Sequence, residues 1–185
     1  MSPSQLVVPL SGRDHVAGSL EAPIVLVEYG DFECSYCGRA YPIVKAAQRH
    51  FGKDLAVVFR HFPLAEIHPH ARLAAEAAEE AGAQGEFWRM HDMLFENQGA
   101  LEQQDLLAYA ESLGLDVTRF ARELTSGAHT KRVRDDFRGG VRSGVNGTPT
   151  FFINGARYDG DWAESAAFIA ALAQMAGSEH VAREG

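Results

Sequence analysis

The two cysteines of this chain stand three apart, in Cys34-Ser35-Tyr36-Cys37, shortly after the apolar run Ile24-Val25-Leu26-Val27-Glu28-Tyr29. The run reads as a buried strand, closed by Gly30. Cysteines at this spacing share one helical turn if a helix begins at the first of them. The order is then strand, short turn, C-x-x-C, helix, which is the setting of a redox dithiol. A helix N-terminus offers unpaired N–H groups and a favourable dipole, and both stabilise a thiolate. A bridge between these two sulfurs would close almost no loop, so it could not staple a fold. The pair is chemical rather than structural. Half of a zinc site is the competing reading, but no second cysteine pair exists to complete it.

A length of 185 residues fits one domain, or one domain with a large insertion, and suffices for a core without staples. The formal net charge of −8 argues against nucleic acid or an anionic membrane surface as partner, since both need a basic face. The longest strictly apolar run, Ala166 to Ala173, is far short of the ~20 residues of a membrane span. The first ten residues, Met1 to Leu10, lack a basic n-region and an adequate apolar h-region. The expected location is therefore cytoplasmic, or exported if the N-terminus is processed or incomplete.

Residues 1–20 read as a leader with turns at Ser11-Gly12 and Gly18-Ser19. A helix is expected from about Ser35 to His50, closed by Gly52 and kinked at Pro42. Leu55 to Arg60 reads as a second strand, parallel to the first through a right-handed crossover. From Ala71 to Ser143 the period is helical, in some five elements. The first runs from Ala71 to Ala81 with Glu76, Glu79 and Glu80 expected on its exterior. Phe87, Met90, His91 and Leu94 mark the second, and Leu106, Tyr109, Ala110 and Leu113 the third. Asp116 is placed to cap the fourth, and Val133, Phe137 and Val141 line the fifth. Strand character returns at Thr150 to Ile153. Asn154-Gly155 predicts a type I′ hairpin turn, and Arg157-Tyr158 begins the return strand. Asp161 with Glu164 suggests a capping box for a last helix to about Ala176, with a frayed tail after it. The sum is α/β: β-α-β, a helical block, then β-β-α.

Three further features bear on chemistry. Cys34, nearer the helix start, is expected to be the attacking sulfur, and Cys37, one turn inside, the resolving thiol. Glu28 interrupts an apolar strand six residues before Cys34. Buried there, it would have a raised pKa and could relay the proton of Cys37. The alternative is a strand-edge glutamate facing water or an arginine. Thr148-Pro149 precedes the third strand, where only about 5% of X–Pro bonds are cis. The eight histidines form no metal set; His68-Pro69-His70 is the close pair, and it suits a helix start or the surface. The stripes of Phe, Met and Leu read as core, or near Cys34 as a substrate groove.

These features together resemble the DsbA-type thiol–disulfide oxidoreductases of the thioredoxin superfamily. The similarity rests on Asp31-Phe32-Glu33-Cys34-Ser35-Tyr36-Cys37, on Gln84 to Asp92 in the helical block, and on Gly144-Val145-Asn146-Gly147-Thr148-Pro149-Thr150-Phe151-Phe152, and it covers roughly residues 14–175. It implies a thioredoxin fold in two parts, 1–61 and 146–185, around a helical insertion at 62–145. It implies Cys34 as nucleophile, Cys37 as resolving cysteine and Glu28 as the buried acid. It also implies a cis Pro149 facing the site, with Thr148, Ser35 and Tyr36 meeting an extended substrate. No cofactor beyond the Cys34–Cys37 disulfide is expected. The partners would be protein or peptide thiols and a redox partner protein, with the chain a monomer or homodimer.

Ser35-Tyr36 replaces the Pro-His of the strongly oxidising members, and Asp31 and Glu33 add negative charge. Both are expected to raise the Cys34 pKa and make the disulfide less oxidising. The expected function is thiol–disulfide exchange through a mixed disulfide at Cys34. The alternatives are a non-catalytic redox-sensing peptide-binding module, and soft-metal handling by Cys34, Cys37 and a histidine.

Overall fold

In the computed structural model, residues 5–183 are described, with side-chain exposure through residue 175. The apolar run forms strand β2 (Ile24–Gly30). It lies at the centre of a five-stranded sheet with β1 (His15–Ala17), β3 (Leu55–His61), β4 (Thr150–Ile153) and β5 (Ala156–Tyr158), in the order β1-β3-β2-β4-β5. The β2–β3 pair is parallel, as the crossover through α1 (Ser35–Phe51) requires, and the other pairs are antiparallel. Asn154 and Gly155 both take positive φ, +49° and +82°, which is how the predicted two-residue turn joins β4 to β5.

Alternation along the strands separates two cores. Leu26, Val57, Phe151 and Ile153 pack against Ala40, Val44 and Ala47 of α1 and Phe168 and Leu172 of α7 (Ser165–Arg183). Val27, Tyr29, Val58 and Phe152 face the other way, toward Phe62, Phe137 and the N-terminal Leu6 and Leu10. Between β3 and β4 lie five helices: α2 (Ala71–Ala83), α3 (Phe87–Glu96), α4 (Gln103–Ser112), α5 (Val117–Ser126) and α6 (Thr130–Arg142). Most of their buried side chains merge with Phe32, Cys34, Cys37 and Phe59 into a third core. The two cysteines therefore sit where the helical insertion meets the sheet.

Several sequence expectations need correction. Glu76, Glu79 and Glu80 are buried, because α2 is covered by α3 on one side and by α5 and α6 on others. Each acid has partners: Arg72 and Thr130 for Glu76, His15 and His61 for Glu79, and Arg119 and His129 for Glu80. Val141 is exposed rather than lining α6. The leader contains β1 and a strap over the sheet. There the buried Arg60 holds Val8 O, Pro9 O and the Asp14 carboxylate, and Leu6 N–H reaches Gly155 O. Asp116 caps α5 through Arg119 N–H as expected. At α7 the capping acceptor is Glu164, which takes the N–H groups of Ala166 and Ala167, while Asp161 takes that of Ala163 in the preceding turn. The helix runs beyond Ala176 to Arg183.

Candidate active site

Cys34 stands at the N-cap of α1 in extended backbone, and no side chain caps the helix there. Cys34 is 4% exposed, and its sulfur donates to Thr148 O at 3.5 Å. Its pKa is lowered to about 5. The largest cause is the hydrogen bond from the Cys37 thiol; burial opposes it, and Thr148 and the N–H groups of Cys37 and Tyr36 add to the lowering. Cys37, fully buried one turn on, is pushed well above the usual thiol range. Burial does most of this, followed by the bond to Cys34 and the negative charge of Glu28 and Cys34. The two sulfurs are thus driven apart, one toward thiolate and one toward thiol, as coupled catalytic pairs are.

The expectation that Asp31 and Glu33 would raise the Cys34 pKa does not hold. Asp31 turns its carboxylate to Leu64 N–H (2.9 Å), Glu33 N–H (2.8 Å) and His68 Nδ1 (2.7 Å). Glu33 faces His70 Nδ1 (2.8 Å) and the His70 N–H. Two acids at i, i+2 therefore meet two histidines at i, i+2. The His68-Pro69-His70 stretch braces the active-site turn, with His70 directly preceding α2.

Glu28 lies behind the dithiol. In the sheet it is flanked by Phe59 on β3 and Phe151 on β4, and it is 3% exposed. Its Oε1 has no hydrogen-bond partner among the described residues. Burial in this apolar frame raises its pKa to about 8, and the Cys34 charge adds to the shift. The carboxyl borders a narrow cavity of about 10 Å³, lined also by Tyr41, Lys45, Gln48, Trp88, His91 and Asp92.

Pro149 follows a cis peptide bond, and Thr148 presents its carbonyl to the Cys34 sulfur. Ser35 and Tyr36 are exposed beside it, Tyr36 at 55% with the Arg39 guanidinium 5.4 Å from its ring centroid. The structure thus brings together Glu28, Cys34, Cys37, Ser35, Tyr36, Thr148 and Pro149. Sequence reasoning missed Gln98, whose amide donates to the carbonyls of Phe32 (2.8 Å) and Cys34 (2.9 Å) from 64 residues away. No local pattern signals such a contact. Among the described residues, His61, Glu79 and Asp136 are near enough to one another to hold an ion, and neither cysteine belongs to that group. His15 and Arg132 already pair with Glu79 there.

The thioredoxin family model (described as Thioredoxin) matches residues 10–171. A thioredoxin-like oxidoreductase from Silicibacter pomeroyi superposes with a TM-score of 0.76 at 26% identity, over 95% of each chain. The α-DsbA1 of Wolbachia pipientis superposes with a TM-score of 0.77 at 21% identity, over 95% of this chain and 96% of that one. The Na(+)/H(+) antiporter NhaA 1 of Salinispora arenicola is 48% identical over 174 residues, 94% of this chain but 26% of the antiporter. The chain spans about a quarter of the curated relatives it matches. With its dithiol at a helix start and helices inserted between β3 and β4, the chain shares the fold of α-DsbA1 and belongs to the thioredoxin family.

Proposed function

We propose that this protein exchanges disulfides with protein or peptide thiols through a mixed disulfide at Cys34. The observation that carries the reading is the Cys34 sulfur, held near pKa 5 at a helix N-terminus under Thr148-Pro149. In the reductive direction the Cys34 thiolate attacks one sulfur of a substrate disulfide. A Cys34–substrate bond forms, and the first substrate thiolate leaves. Cys37 gives up its proton to Glu28 directly or through the adjoining cavity. Its thiolate then attacks the Cys34 sulfur, releasing the second substrate thiolate and closing Cys34–Cys37. The oxidative direction is the reverse. A base whose pKa lies near the working pH is the effective one, and Glu28 at about 8 meets that condition. A thiolate as stable as Cys34 is also a good leaving group, so the disulfide form gives up its bond readily to substrate thiols. That favours the oxidative direction, against the sequence expectation of a weaker oxidant. Thr148, Pro149, Ser35 and the exposed Tyr36 are the surface that meets substrate. Electrons pass to or from a second redox protein, and no bound cofactor enters any step.

The S. pomeroyi oxidoreductase supports this class of activity. The antiport named for the longer relatives is not proposed here: the chain matches about a quarter of their length. Among its described residues no helix is long and apolar enough to cross a membrane, which is compatible with a cytoplasmic or an exported placement.

The test is Cys37→Ser. Without its resolving thiol the protein is expected to accumulate covalent adducts on Cys34 that reductant releases, and the wild type to reduce insulin. Absence of both would move the assignment to a redox-sensing peptide-binding module, and stoichiometric metal in the isolated protein to soft-metal handling.

A further inference from the structure

Gln98 lies between α3 and α4, in the helical insertion, and uses both protons of its amide on the active-site turn. One goes to the carbonyl of Phe32 at 2.8 Å and one to that of Cys34 at 2.9 Å. The Cys34 carbonyl also accepts the Gly38 N–H at 3.0 Å, the bond that opens α1. The carboxamide rests directly on Gly38, and a Cβ at that position would overlap its oxygen and carbon. Glycine at 38 is therefore the space that Gln98 occupies, not a requirement of the helix backbone, since Gly38 has no positive φ.

We propose that Gln98 is a positioning residue for the dithiol: by fixing the Phe32 and Cys34 carbonyls it sets the first turn of α1 relative to the Cys34 sulfur. The proposal rests on the exchange reading above and adds to it a dependence on the helical insertion. The physical argument is one of registration. Cys34 begins the helix without a side-chain cap, so the usual anchor of a first turn is missing. Stabilisation of the thiolate comes first from the Cys37 thiol and then from the N–H groups of Cys37 and Tyr36, all of them carried on this first turn. The Cys34 carbonyl that Gln98 grips lies in the peptide plane leading into the turn that carries those groups. Two donors on one planar amide fix both position and tilt, which a single bond would not. The amide also offsets the negative ends of two carbonyl dipoles close to the sulfur. Further bonds between α1 and the insertion, Tyr41 to Glu96 at 3.0 Å and Lys45 to Asp92 at 2.7 Å, make the contact part of a continuous seam.

Three variants separate positioning from packing. Gln98→Ala removes the amide, and Gln98→Met keeps its length without charge but offers no N–H. Gly38→Ala pushes the amide away with glutamine still present. Alanine is also the better helix former, so in Gly38→Ala a reactivity loss is not a helix-stability loss. The readout is the pH profile of Cys34 alkylation by iodoacetamide, resolved by peptide mass spectrometry, beside the melting temperature and insulin reduction. All three variants are expected to move the Cys34 midpoint up by about one pH unit, lowering alkylation at pH 5 about five-fold. Wild-type profiles in Gln98→Met and Gly38→Ala would overturn the proposal, whatever the melting temperatures. If the wild type reduces no insulin yet the midpoint moves in the variants, the positioning role stands and the exchange reading falls.

Discussion

Glu28 shows how a single residue couples stability to chemistry. An acid held near 8 in the fold and near 4.5 outside it binds more protons folded than unfolded between those values. Stability from this group is therefore lost as pH rises from about 4.5 to about 8. At ~1.4 kcal/mol per pKa unit, the penalty above pH 8 is on the order of 5 kcal/mol. Glu28→Gln is expected to flatten that part of the stability curve and to be the more stable protein at pH 8, by denaturant unfolding. It should react with a substrate disulfide at the wild-type rate, yet release the resulting mixed disulfide on the order of ten-fold more slowly or worse. At this scale the sequence was legible where a residue violated its surroundings: a carboxyl in an apolar strand and two cysteines on one turn. It misled at Asp31 and Glu33, because proximity in sequence gives the sign of a charge but not its partner. His68 and His70, 37 residues away, supply that partner.

Among the elements, α2 was the most clearly bounded by sequence and the most misread in its surroundings. Its alanine-rich pattern fixes a helix, and the three acids imply an outer face only if water covers that face. Here other elements do, and the sequence compensates with histidines and arginines from β1, β3, α5 and α6. Glu79 accepts from His15 at 2.9 Å and His61 at 2.8 Å, with Arg132 Nε 3.6 Å away. Burial opposes its ionisation, but the two histidines outweigh it and hold Glu79 far below the usual carboxylate range. Such a group contributes stability above its unfolded pKa and loses it as pH falls. Glu79→Ala strands the ring of His61, which is 1% exposed, while Arg132 keeps Asp136 and the Arg13 carbonyl. The expected cost is about 1–3 kcal/mol, read by chemical denaturation at neutral pH. A loss well under about 1 kcal/mol would mean that His61 finds another partner. The three-residue β1 and the N-terminal strap were not legible, since neither has a periodic pattern. They are held by Arg60, which reads in sequence as the end of a strand.

For the whole molecule, the order of strands and helices was enough to reach a split α/β sheet with a helical insertion, and the resemblance carried by the segments around Cys34 and Pro149 supplied the thioredoxin fold. What the order does not contain is the meeting of the insertion with the active-site turn, which depends on contacts such as Gln98 across the fold. That meeting places a low-pKa sulfur and a high-pKa sulfur in one redox couple. The central claim is that this couple exchanges disulfides through a Cys34 thiolate. The most direct test is its reduction potential, by equilibration with glutathione between pH 4 and pH 8. Each proton taken up with the two electrons contributes about 30 mV per pH unit. Below the Cys34 pKa near 5 both sulfurs gain protons on reduction; above it only Cys37 does. The slope is expected to fall from about 60 to about 30 mV per pH unit near pH 5. A slope of about 60 mV per pH unit persisting to pH 8, or a pair that does not equilibrate with glutathione, would contradict it.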